Sequence, residues 1–199
     1  MKKLFLLCVA LLVAVAASSA VFAADLYQVD AAHSSIGFAV KHMMVARVNG
    51  VFGDFQGDIK FDPADLPGSK FDFVIKVASI DTRNSGRDAH LKGADFFNAE
   101  KFPDIVFKTK AVARTGEGVY AVTGDLTMKD VTKEVVIPVT VDGPVFNPMA
   151  KADGIGIEAV FKVNRQDYGV NWNKDLDNGG VVVGNDVAVN VNIEAHKSR

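Results

Sequence analysis

Apolar and polar residues alternate with a period of two along most of this chain. Val51, Gly53, Phe55, Gly57, Ile59 and Phe61 form one series, and Phe52, Asp54, Gln56, Asp58 and Lys60 the opposite one. Phe71, Phe73, Ile75 and Val77 alternate with Lys70, Asp72 and Lys76. Val135, Ile137, Val139 and Val141 make a further face, as do Ile155, Ile157, Ala159, Phe161 and Val163, and then Val187, Val189, Val191 and Ile193. Such alternation predicts antiparallel strands with one dry and one wet face. Turn residues punctuate the runs at Asp62-Pro63, Pro67-Gly68, Thr115-Gly116-Glu117-Gly118, Asp142-Gly143-Pro144 and Asn178-Gly179-Gly180. The count is about eight strands, with Pro144 to Asp153 read as a loop.

No helical period persists long enough to cover a sheet, so the dry faces must meet one another, in a sandwich or a closed barrel. Two features favour the barrel. The run 47–61 reads as one long strand carrying Gly50, Gly53 and Gly57, and interior glycines mark places where a sheet curls. The apolar faces are also rich in phenylalanine, and an eight-stranded barrel is just wide enough to be filled by side chains or to hold one small ligand.

One passage breaks the pattern. From Ser79 to Phe107 the chain places Arg83, Arg87, Asp88, His90 and Lys92 just ahead of Phe96 and Phe97. A long polar-and-aromatic insertion in an all-β chain is where a mouth or lid is built. Arg87 and Asp88 are expected to tie its backbone. Phe96 and Phe97 are expected to face inward, either plugging the barrel end or gating an apolar cavity.

The first residues change the chemistry that is available. Lys2 and Lys3 precede an apolar stretch from Leu4 to Ala17, and Val21-Phe22-Ala23 fits a cleavage site, so residues 1–23 read as a secretory signal peptide cut after Ala23. The domain is then 24–199, in the periplasm or secreted. Cys8, the sole cysteine, leaves with the signal, so disulfides, thiolate nucleophiles and cysteine metal sites are excluded from the mature chain. Loss of Lys2 and Lys3 leaves 20 basic against 24 acidic residues, a formal charge of −4. Nucleic acid and stable membrane insertion are accordingly not expected.

Motifs for other chemistry are weak. Gly50-x-x-Gly53-x-x-x-Gly57 lies in a strand and opens no helix, unlike a phosphate loop. Asp175-x-Asp177-Asn178-Gly179 resembles the start of a calcium loop, but the twelfth position is Asp186 and not the glutamate such a loop needs. His33, His42, His90 and His196 show no metal-binding spacing, so no metal site is expected. There is no Gly-x-Ser-x-Gly elbow and no catalytic residue is assigned. The alternatives to a binding protein are an enzyme that modifies a lipid head group through its histidines, and an interaction module with a solid core.

Short pieces in fixed order carry a resemblance across nearly the whole mature chain. They are His33-Ser34 with Phe38 and His42; Gly50-x-Phe52 with Gly57; Ser79-Ile80-x-Thr82; Arg87-Asp88-x-His90-Leu91; Asp95-Phe96-Phe97; Phe102-Pro103-x-Ile105-x-Phe107; Gly124-Asp125-Leu126-Thr127; and Arg165-x-Asp167-Tyr168-Gly169. In these the chain resembles the YceI-like family, departing from it at Asp130, where glycine is usual. The resemblance implies an all-β, eight-stranded antiparallel lipocalin-like barrel with a short helical or loop insertion near 80–100. It also implies a long-chain isoprenoid lipid or isoprenoid quinone as lumen ligand, with a fatty-acid or fatty-amide amphiphile as the alternative, no other cofactor, and a homodimer in some members. Burial of even fifteen CH₂-sized groups would offer roughly 12 kcal/mol before ordering costs. The expected lining is Phe38, Phe55, Phe73, Ile75, Phe96, Phe97, Phe107 and Phe161, with His42, Arg87 and His90 near a polar head at the mouth.

Overall fold

Alternation of this kind leaves every strand with a dry face to hide, and the chain hides it by closing the sheet on itself. The computed structural model describes residues 24–177 and 179–198. The signal segment with Cys8, and Asn178 of the last turn signal, lie outside them.

Among the described residues there are ten strands and one α-helix. The strands are β1 (Asp25–His42), β2 (Ala46–Phe52), β3 (Phe55–Phe61), β4 (Lys70–Lys76), β5 (Ile80–Asp81), β6 (Asp104–Gly116), β7 (Val119–Met128), β8 (Val131–Asn147), β9 (Ala152–Asn164) and β10 (Val183–Lys197); the helix α1 is Ser85–Lys92. Eight strands close an antiparallel ring in the order β1-β3-β4-β6-β7-β8-β9-β10, with β10 returning to β1. Closure leaves no free edge to manage. β2 takes the place of β3 along the second half of β1, from Ile36↔Phe52 to His42↔Ala46, and β5 adds to β2 through Val51↔Asp81.

The run 47–61 is therefore not one strand, which corrects the sequence reading. It breaks at Gly53-Asp54, whose backbone turns to the segment before β5: the Gly53 N–H donates to the Ser79 carbonyl at 3.2 Å, and the Lys76 N–H to the Asp54 carbonyl at 2.9 Å. Across that break the phase flips. Phe52, expected on the wet face, is buried, whereas Val51 is exposed. A second correction concerns Asp142-Gly143-Pro144, which does not end a strand. β8 runs through it with a register shift between Asp142 and Val145, then keeps pairing with β9 as far as Asn147↔Ala152. Extra residues absorbed as a bulge preserve the ladder on both sides.

One end of the barrel is solid. Tyr27, Ile59, Phe61, Ile193 and Ala195 are buried there, and Phe61 packs 5.7 Å from Phe71 and 5.3 Å from Tyr120, ring to ring. Asp72 is buried on the wall beside this core. It accepts from the Thr109 N–H at 2.7 Å and pairs with Lys108 Nζ at 3.2 Å, next to the point where β6 shifts register against β7. No helix of the described residues is long and apolar enough to cross a membrane.

Candidate functional site

Above the plug the lumen is open. An apolar cavity of about 190 Å³ begins over Phe71 and Val122 and continues through Phe73, Phe107 and Ile157 to Phe161, Val163 and Arg165. Along β9 and into the residue that follows it the lining runs from Ile157 to Arg165, eight residue steps. That is roughly 26 Å of strand at about 3.3 Å per residue, or about 20 Å of depth after barrel tilt. The space is therefore long and narrow. Apart from Arg165, its lining side chains are aliphatic or aromatic, with Gly37 and Met128 among them.

The insertion caps this space. Asn84 starts α1 by accepting from the Arg87 N–H at 2.9 Å, the expected N-cap contact. Asp88 Oδ1 accepts from the Thr82 N–H at 2.9 Å and from its hydroxyl at 2.5 Å. The Thr82 hydroxyl in turn accepts from Arg87 Nε at 2.7 Å, and the Thr82 carbonyl from Arg87 Nη2 at 2.8 Å. These bonds, the Thr82 hydroxyl first among them, hold the Asp88 carboxyl below its ordinary range. The helix is thus pinned to the chain at one residue, Thr82, directly after β5. Leu91 in its last turn, and Phe96 and Phe97 past its end, reach the cavity, and Phe97 meets Phe52 edge-on at 6.2 Å.

A second loop meets the cap. Arg165 follows β9 and is buried, and among the described residues no carboxylate pairs with it. It donates to the Gly184 carbonyl from Nε at 2.9 Å, to the Val170 and Trp172 carbonyls from Nη1 at 2.5 and 2.9 Å, and to the Val183 carbonyl from Nη2 at 3.2 Å. Burial pulls the guanidinium below its usual pKa, but arginine stays a cation in proteins. Trp172, so positioned, packs against His90 and Phe96, each at 5.2 Å between ring centroids.

Of the residues expected to line a ligand, Phe38, Phe73, Ile75, Phe96, Phe97, Phe107 and Phe161 all face this cavity. Phe55 packs on the core without reaching the cavity. His42 is exposed where β1 turns into β2. Arg87 is committed to Thr82, and His90 bonds Asp95 Oδ2 at 2.9 Å while meeting Phe96 and Trp172 edge-on, and neither lines the lumen. Sequence reasoning missed Arg165 and Trp172. Arg165 had a signal, being the next inward position after Ile155, Ile157, Ala159, Phe161 and Val163. Trp172 lies in irregular chain and had none.

Comparison with known proteins gives a consistent picture. A family model described as a YceI-like domain matches residues 27–195. A UPF0312 protein of Staphylococcus aureus strain N315 is 39% identical over 165 residues, 83% of this chain and 94% of that one. BcnA of Burkholderia cenocepacia superposes with a TM-score of 0.74 at 28% identity, over 83% of this chain and 98% of that one. A polyisoprenoid binding domain from Saccharophagus degradans superposes with a TM-score of 0.68 over 87% of this chain and 99% of that one, and at 13% identity shares its fold.

Proposed function

Because this chain belongs to the YceI-like family, we propose that its barrel holds a long-chain isoprenoid lipid, a polyprenyl lipid or an isoprenoid quinone, for storage or transport. The observation that carries the reading is the long apolar lumen, closed at one end by Phe61, Phe71 and Tyr120 and capped at the other by Leu91, Phe96 and Phe97. An interior of that shape suits a thin hydrocarbon chain, whose burial contributes about 0.8 kcal/mol per CH₂ without a charged anchor. The fold is also that of a polyisoprenoid binding domain in another organism. In this reading the chain is exported, cleaved after Ala23 and loaded in the periplasm or outside the cell. In this reading the role is binding, and the long apolar lumen supports it.

A second reading is favoured by Arg165. A cation in the wall of the lumen at its capped end, with no carboxylate paired to it among the described residues, suits the head of a fatty-acid-type amphiphile. Organic extraction of the purified protein followed by lipid mass spectrometry separates the two. An isoprenoid ion series supports the first reading, a fatty-acid or fatty-amide series the second, and the absence of any long apolar molecule counts against both.

A further inference from the structure

On the outer wall, away from the lumen, β1 and β10 bring four ionisable side chains together. Asp30 and Glu194 are paired directly across the two strands. Like charges in that position repel, and among the described residues neither carboxylate has a lysine or arginine within ion-pair distance. Their neighbours are imidazoles. His196, two positions beyond Glu194 and on the same face, places Nε2 3.3 Å from Glu194 Oε1 and 3.5 Å from Asp30 Oδ2. The pairing shifts register between Asp30/Glu194 and Ser35/Asn192, and within that shift His33 folds back to set Nδ1 3.0 Å from Asp30 Oδ2. The other Asp30 oxygen accepts from the Ala32 N–H at 2.9 Å, which fixes the carboxylate plane.

The spacing is informative. Charge-assisted hydrogen bonds between imidazole and carboxylate run about 2.7–2.9 Å. Ligands about 2.0–2.1 Å from a tetrahedral zinc stand about 3.3–3.4 Å apart. The contacts of His196 Nε2 match the second figure, and the donor atoms of Asp30, Glu194 and His196 all lie within 4.8 Å of one another. We propose that Asp30, Glu194 and His196 form a binding site for a divalent transition-metal ion of the Zn²⁺ or Co²⁺ type, with His33 orienting Asp30 and water completing the shell.

One feature sets the strength of the site. His196 Nδ1 is buried over Gly154 with no hydrogen-bond partner among the described residues, and a Cβ at that glycine would sit 3.1 Å from it. A metal on Nε2 leaves the Nδ1–H without the outer acceptor that tight zinc sites supply, a lack that costs about 10–100-fold in affinity. Binding is thus expected to be weak and reversible. The sequence shows no metal spacing because the ligands come from two strands joined only by closure of the barrel.

The test is calorimetric titration of ZnCl₂ into protein without a histidine tag, with Co²⁺ absorption as a second signal. The expected result is one equivalent bound, lost in Glu194→Gln and in His196→Asn, and weakened about tenfold in His33→Ala. These side chains face outward, and a melting curve with chelator checks that each variant folds. Mn²⁺ broadening of amide resonances keeps the test independent of variants: in the unmodified protein it should be strongest at Ala32 and Ala195. No saturable binding, unchanged affinity in His196→Asn, or broadening centred elsewhere would overturn the site.

Discussion

The indole of Trp172 lies 5.2 Å from the ring of Phe96 at an interplanar angle of 36°, and this contact joins the two segments that close the barrel's open end. Phe96 belongs to the insertion after β5, and Trp172 to the loop that Arg165 holds before β10. Phe96 is 5% exposed. Phe96→Ala should cost about 3 kcal/mol in denaturant unfolding and speed release of a bound lipid. Trp172 is the single tryptophan of the chain, so its emission should shift to the red in that variant. An unchanged spectrum and release rate would show that the two segments close the lumen independently.

Arg165 is the post on which the second loop hangs. Arg165→Met leaves the carbonyls of Val170, Trp172 and Gly184 without this donor, whereas that of Val183 keeps the Asn173 amide at 2.8 Å. With each buried unsatisfied group costing about 1–3 kcal/mol, the variant should lose at least about 3 kcal/mol by chemical denaturation. Arg165→Lys should recover only part of it, because an ammonium lacks the planar fork. Full stability in either variant would refute this role.

Acid should loosen the cap through Asp88. The Thr82 hydroxyl and then its N–H lower the Asp88 pKa in the folded state. The sign follows from linkage: the stabilisation is complete above the unfolded value, about 3.9, and is lost as pH falls through the lower folded value. Exchange protection of the Thr82 and Arg87 amides, followed by NMR, should therefore hold constant through neutral and mildly acidic pH and fall only below the ordinary carboxylate range. In Asp88→Asn the lowered protection should already be present at neutral pH. A wild-type change centred above pH 5 would assign the event to another group.

Ala159 is the smallest side chain on the inward face of β9 and lines the cavity. Ala159→Phe should fill lumen space at an overpacking cost of about 1–3 kcal/mol and sharply reduce uptake of a fluorescent long-chain lipid. Undiminished uptake by a folded Ala159→Phe protein would place the ligand elsewhere.

Much of this arrangement was legible in residue order. Period-two alternation located β4, β8, β9 and β10, because a strand with one buried face needs an apolar residue at every second position. The insertion stood out as the absence of that period, and Arg87 and Asp88 do tie its backbone through Thr82. Partner changes were not legible. A strand that swaps neighbours at Gly53-Asp54 keeps nearly the same composition while its phase flips, so Phe52 seemed to face water. Gly50 was legible only as a bend, yet its bare Cα also makes room for the Phe38 ring and the Thr82 methyl, neither of them near it in sequence. Arg165 was legible only as an inward position of β9 and not as the post of a loop, and the Asp30–Glu194–His196 cluster depends on closure of the ring, which no local pattern encodes.

The central claim is that the lumen holds a long isoprenoid chain. Native mass spectrometry of the protein purified without added lipid, followed by organic extraction and identification of the released molecule, tests it most directly. The expected result is a bound species in excess of the polypeptide mass whose fragments carry the five-carbon isoprene repeat, depleted in Ala159→Phe. Protein that carries no long apolar molecule, and takes up neither a polyprenyl lipid nor an isoprenoid quinone when offered, would contradict it.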